Sequence, residues 1–254
     1  MLRILISRLE LVGQFFVFLG ETLSSLPRRP FRFAQYLAEM ELLGVNSVLI
    51  ILLSGGAIGM IFALQMVALL QPFQAEIGTG AAVAIAMSRE LAPVITTLML
   101  IAKNGSAMAA ELGTMQVTEQ IDALESMSVN PIHYLVLPKV IASILVFPIL
   151  TVLANVVGSL GSYGISIFLY GIDSASYTDY MFNLLNPRDI FIGVIKAAVM
   201  GFIVSTICCF YGLRTSQGAK GVGDSATKAV VASSVAILVA DYILASFMLR
   251  WIYQ

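Results

Sequence analysis

Two stretches of this chain, Leu42 to Ala75 and Val140 to Ile172, contain no Asp, Glu, Lys or Arg. Each exceeds the ~20 residues an α-helix needs to cross a ~30 Å hydrocarbon core. That constraint outweighs any local motif, because runs of this kind mark membrane spans rather than soluble cores. Composition agrees: of 254 residues, 59% are hydrophobic and 11% charged, with mean hydropathy +0.92. The chain is therefore expected to be an all-α integral membrane protein, one domain over 1–254.

Apolar periodicity and span length predict five membrane helices at about 45–70, 80–108, 138–170, 189–213 and 227–250. Residues 1–41 form an expected interfacial or elbow segment and 42–254 the five-span core. The uncharged run from Leu11 to Gly20 is too short to span, and no small-x-small cleavage site follows at Thr22 to Pro27. An interfacial helix with Arg3, Arg8, Glu10 and Glu21 toward water is expected; a sixth span is the rival. Gly55 and Gly59, Gly105 and Ala109, and Gly158, Gly161 and Gly164 supply small-residue faces for helix packing. Arg3, Arg8, Arg28, Arg29, Arg32, Lys103, Lys139, Arg214, Lys220 and Lys228 fall on one side of these spans, against Arg188 and Arg250 on the other. The positive-inside rule then predicts a cytoplasmic N-terminus and a periplasmic C-terminus.

Arg89 and Lys196 are left inside spans, together with Glu90 and Asp241. Counting from the span ends puts all four roughly 10–15 Å beneath the outer surface. Asp189, two turns before Lys196, can extend the group outward. Charge within a span is expensive and is a functional-site hypothesis by default. The competing reading is a cluster that only locks helices together or snorkels to the interface. Arg89 and Glu90 are about 100° apart on an ideal helix, so one is expected to line a cavity while the other faces a neighbouring helix. Gln65, set among Leu64, Val67 and Leu69, is a further polar candidate.

After the second span, Val117, Ile121, Leu124 and Met127 recur at helical spacing while Glu119, Asp122 and Glu125 take another face. This predicts a short helix lying flat under the bilayer, at about 114–129. Its acidic face suits a basic protein partner and equally a solvated interfacial helix. Several chemistries are set aside. His133 stands alone, so no His-based metal cluster can assemble; Cys208 and Cys209 read as two small buried hydrophobes. Gly218 to Ser225 has the outline of a phosphate loop but carries Asp224 where Lys is required and follows a membrane helix rather than a strand. The net charge of −1 offers no basic patch, and no nucleic-acid partner is expected.

Arg89-Glu90-Leu91-Ala92-Pro93, Ala107 to Met115, Thr118-Glu119-Gln120-Ile121-Asp122-Ala123 through Asn130-Pro131, Gly171-Ile172-Asp173-Ser174, Ile195-Lys196 and the Thr215 to Thr227 loop together resemble the MlaE/YrbE permease family of MCE-associated ABC transporters. The resemblance implies a bacterial inner-membrane permease subunit that is not itself an enzyme, working as a homodimer. It also implies a pair of cytoplasmic ABC ATPases holding ATP and magnesium, no cofactor in this chain, an MCE-domain ring on the outer face, and a STAS-domain protein as a further partner. The implied cargo is phospholipid moved between inner and outer membranes. The family's charged cavity positions fall on Arg89, Glu90, Asp189, Lys196 and Asp241; Leu64, Met66 and Leu70 are expected to offer an apolar wall for acyl chains beside them. Its ATPase-coupling positions fall on Glu111, Gly113, Thr114, Met115, Glu119, Gln120, Asp122, Leu124 and Met127. Secondary transport through an intramembrane charge relay, and a structural scaffold for an outer-face assembly, are the alternatives.

Overall fold

In the computed structural model the described residues are 2–25 and 32–252, with side chains described for 10–25, 32–248 and 250. Arg28 and Arg29, and the side chains of Arg3 and Arg8, fall outside them. Eight helical elements follow in order: α1 (Leu2–Ser25), α2 (Phe33–Phe73), α3 (Glu76–Val117), α4 (Gln120–Ser126), α5 (Ile132–Leu169), α6 (Ser174–Leu184), α7 (Pro187–Gly212) and α8 (Gly218–Ile252). Among the described residues, five helices are long and apolar enough to cross a membrane: α2, α3, α5, α7 and α8. The chain is an all-α multi-pass membrane protein.

Close backbone approach joins α2 to α5. A Cβ on Gly59 would lie 2.0 Å from the Gly158 carbonyl oxygen, and one on Gly161 would lie 2.9 Å from that of Gly56. Small residues permit this contact, which supplies the dispersion energy that helix association in lipid depends on. Gly164, expected on the same face, instead has nothing within 4 Å. At the centre stands α7, 56% buried over its most apolar stretch, whereas α8 is only 11% buried. Val231, Val235, Leu238, Tyr242 and Phe247 of α8 are all exposed. Against α7, α1 packs Phe15 and Phe18 on Phe210, with ring centroids 5.3 and 5.7 Å away.

Three boundaries differ from expectation, each for a local reason. The first span extends back to Phe33 through a 3-10 turn at Val45–Ser47. That turn leaves backbone carbonyls free, and α3 satisfies them: Asn104 Nδ2 donates to Leu43 O at 3.0 Å and Lys103 Nζ to Asn46 O. The helix expected at 114–129 is shortened to Gln120–Ser126, because α3 continues to Val117 and Glu119 and Ser128 adopt left-handed backbone (φ 60° and 61°). Glu111, Gly113, Thr114 and Met115 therefore belong to the last turns of a spanning helix. Finally, α6 fills the connection before α7, started by Asp173, whose carboxylate accepts from the Ser176 N–H at 2.8 Å.

Candidate functional site

Pro93 shapes the charged region of α3. It has no N–H to offer the Arg89 carbonyl four residues back, and the helix widens into a π turn over Met87–Leu91. Gly193 of α7 lies against this turn so closely that a Cβ would come within 2.1 Å of Ser88 O. The approach lets Lys196 reach the Arg89 carbonyl, to which its Nζ donates at 3.1 Å. In hydrocarbon a freed carbonyl needs such a partner.

Lys196 is itself 0% exposed and lies between two carboxylates, Glu90 Oε2 at 2.5 Å and Asp241 Oδ1 of α8 at 2.7 Å. The Asp241 contact is an ion pair whose angle falls outside hydrogen-bond range. Of the three donors of an ammonium, two hydrogen-bond, to Glu90 Oε2 and the Arg89 carbonyl, while Asp241 adds opposite charge alongside. Beside it, Arg89 directs Nε and Nη2 to Asp189 Oδ1, both at 2.8 Å. The other oxygen of Asp189 accepts the Asn186 N–H at 3.1 Å, closing the cap that starts α7. Two cations and three anions from α3, α7 and α8 form one continuous network. Exposure is uneven within it: Lys196 and Asp189 side chains are at 0% and 2%, but Arg89 is at 25% and Glu90 at 43%.

Both Arg89 and Glu90 contact α7, and Glu90 is the more exposed of the two. The wider π turn advances less per residue than an α-helix and keeps the two neighbours on adjoining faces. Leu64, Gln65, Met66 and Leu70 are not drawn into the network. Met66 packs on the core, Leu64 and Leu70 are half-buried, and Gln65 is exposed on α2.

At the far end of α3, roughly 30 Å away along the helix, lies a second lysine that the sequence marked only as a topological charge. Lys139 is buried, with Nζ 2.8 Å from Glu39 Oε1 of α2 and 2.8 Å from Glu111 Oε2 of α3. Glu111 is thus an ion-pair partner as well as a candidate coupling residue. Gly113 is buried against Thr215, Thr114 bonds back to Ala110 O, and Met115 and Leu124 pack on the cluster around Phe210. Glu119, Gln120, Asp122 and Met127 are exposed. Between α4 and the end of α1 opens a cleft of about 630 Å³ that includes Glu21, Gln116 and Glu125. Among the described residues no three His, Cys, Asp or Glu side chains are grouped so as to hold a metal ion.

Residues 36–247 match the family model Permease MlaE. A probable ABC transporter permease protein of Rickettsia bellii is 36% identical over 94% of this chain and 92% of its own length. The intermembrane phospholipid transport system permease protein MlaE of Haemophilus influenzae is 37% identical over 83% of this chain and 81% of its own. The chloroplastic protein TRIGALACTOSYLDIACYLGLYCEROL 1 of Arabidopsis thaliana is 43% identical over 84% of this chain and 61% of its own. With a five-span helical core under that match, the chain belongs to the MlaE permease family.

Proposed function

We propose that this permease is the membrane-spanning subunit of an ATP-driven phospholipid transporter in the bacterial inner membrane, and that Arg89, Glu90, Asp189, Lys196 and Asp241 form a polar belt at the substrate cavity. One observation carries the reading: Glu90 is 43% exposed within an apolar span while paired to a fully buried lysine. A carboxylate open to hydrocarbon would be costly, so that exposed half needs water or a polar head group. Only 11% of the most apolar stretch of α8 is buried, which suits a second copy of the chain, and two copies would enclose the cavity between them. Leu64, Met66 and Leu70 would then line it from α2 for acyl chains, with Gln65 as a polar member.

In this reading the N-terminus is cytoplasmic and a pair of ABC ATPases, holding ATP and magnesium, docks at α4 and the end of α3. The exposed Glu119 and Asp122 and the acidic cleft with Glu21 and Glu125 suit a basic partner surface. ATPase closure would push on α3, the one helix that enters both lysine networks, and so shift the belt. An MCE-domain ring on the periplasmic side would receive or deliver lipid, with a STAS-domain protein as an accessory to the ATPases. Charge reversal at Glu119 and Asp122 is expected to abolish co-purification with the ATPase; a variant that still co-purifies contradicts the docking assignment. Lipid-stimulated ATP turnover is expected only when ATPase and permease are reconstituted together. Uptake driven by an ion gradient without any ATPase would favour the charge-relay alternative instead.

A further inference from the structure

A groove of about 470 Å³ runs between α5 and α6, and none of the five charged residues lines it. Val156 and Leu160 of α5, Met181, Phe182 and Leu185 of α6 and Ile190 of α7 form its walls. Its volume falls in the range of small-ligand sites, ~300–1,000 Å³. Most polar side chains on its surface already have partners. Asn155 Nδ2 donates to Ser88 Oγ at 2.8 Å, Tyr177 Oη and Ser162 Oγ share a hydrogen bond at 2.9 Å, and Thr178 Oγ1 donates to Ser174 O at 2.7 Å. An occupant therefore has to be apolar.

We propose that this groove holds one acyl chain of a bilayer lipid, at a site distinct from the charged belt. The proposal rests on the chain's membrane-spanning fold and not on its transport role. A protein helix fits poorly there. It is about 10 Å across, and close helix packing in lipid favours small residues, as at Gly59 and Gly158, whereas Val156, Leu160, Met181, Phe182 and Leu185 here are bulky. From Asn155 to Tyr163 the groove follows α5 for about 12 Å, the length of a chain segment. Tyr163 lies at the α6 end, edge-on to Tyr177 with centroids 5.6 Å apart, and amphipathic rings favour the level of the head groups. The chain would enter at Tyr163 and run inward toward Ser88 and Asn155. Ser88 and Ile190, the chain neighbours of Arg89 and Asp189, are among the residues lining the groove.

The test uses the full-length chain in nanodiscs containing phosphatidylethanolamine with a photoactivatable group midway along one acyl chain. Peptide mapping should show adducts on Val156–Leu160 and Met181–Leu185 about ten-fold above those at Ile149 and Val152, which are exposed on α5 outside the groove. Ser159→Phe should remove the groove adducts and leave those at Ile149 unchanged. Val156→Phe, at an exposed position, serves if the first variant does not fold. Glu90→Gln, expected to stop transport, should leave the groove adducts intact, which separates this site from the transport reading. Equal yields at all α5 positions, insensitivity to both groove-filling variants, or crosslinking of Leu160→Cys to another protein's helix in native membranes would each overturn the proposal.

Discussion

Lys196 and Lys139 are built alike and placed differently. Each is a buried ammonium between two carboxylates from other segments, and each stands near a π turn that precedes a proline. Pro138 withholds its donor from the Tyr134 carbonyl as Pro93 does from Arg89, and Gln35 of α2 supplies a replacement at 2.9 Å. The Lys196 network lies inside apolar spans and joins α3, α7 and α8. The Lys139 network lies near the helix ends and joins α2, α3 and α5, with Glu111 49% exposed. Location decides what each can tolerate: Asp241, 18% exposed within an apolar span, has little water to turn to, whereas Glu111 at a span end can be solvated where it stands. The two junctions differ in where they stand, one within apolar spans and one at span ends, rather than in how far their carboxylates are covered.

Removing the lysines should break the symmetry most sharply. Lys196→Met strands Glu90 and Asp241 and is expected to destabilise the fold by about 3–5 kcal/mol, read as thermal unfolding in detergent. Combining it with Glu90→Gln and Asp241→Asn should recover much of that stability while transport stays lost, because no charge is then left unpaired. Lys139→Met leaves Glu111 able to hydrate and is expected to cost less, about 1.5–3 kcal/mol. Equal losses at both sites would remove the distinction. Gly193→Ala, forced against Ser88 O, should cost about 1–3 kcal/mol, whereas Gly164→Ala, with open space around it, should be near neutral. The smallest effect belongs to α6. Hydrogen bonds from Ser176 and its backbone hold the Asp173 carboxyl below the usual range. Its folded value is depressed, so the cap's contribution is fully present above the unfolded pKa near ~3.9 and fades only as pH falls through the lower folded value. The protection factor of the Ser176 amide, its exchange rate relative to the intrinsic rate at the same pH, should fall in Asp173→Ala at neutral pH, and in the parent chain only in acid.

Much of one network was legible in the residues, and almost none of the other. Arg89, Glu90, Lys196 and Asp241 stand out because nothing around them is charged, and helix arithmetic places them at a common depth. Glu39, Glu111 and Lys139 sit at span ends, where charge is ordinary, so nothing in their spacing marks a buried triad. The π turns escaped for a different reason. Pro93 and Pro138 announce a missing donor, but whether a helix kinks or widens depends on which neighbour comes close, here α7 at Gly193. The short α4 also depended on left-handed backbone at Glu119 and Ser128, non-glycine residues whose periodicity suggested uninterrupted helix.

Accessibility at position 90 tests the belt most directly. Cys208 and Cys209 are buried, so the parent chain should give little background with a membrane-impermeant maleimide. Glu90→Cys should label readily from the non-cytoplasmic side, since a thiol there would open onto water, while Ile149→Cys, facing lipid, should remain unlabelled. If the two positions resist the reagent equally, Glu90 faces hydrocarbon and the charged residues serve only to bind helices together.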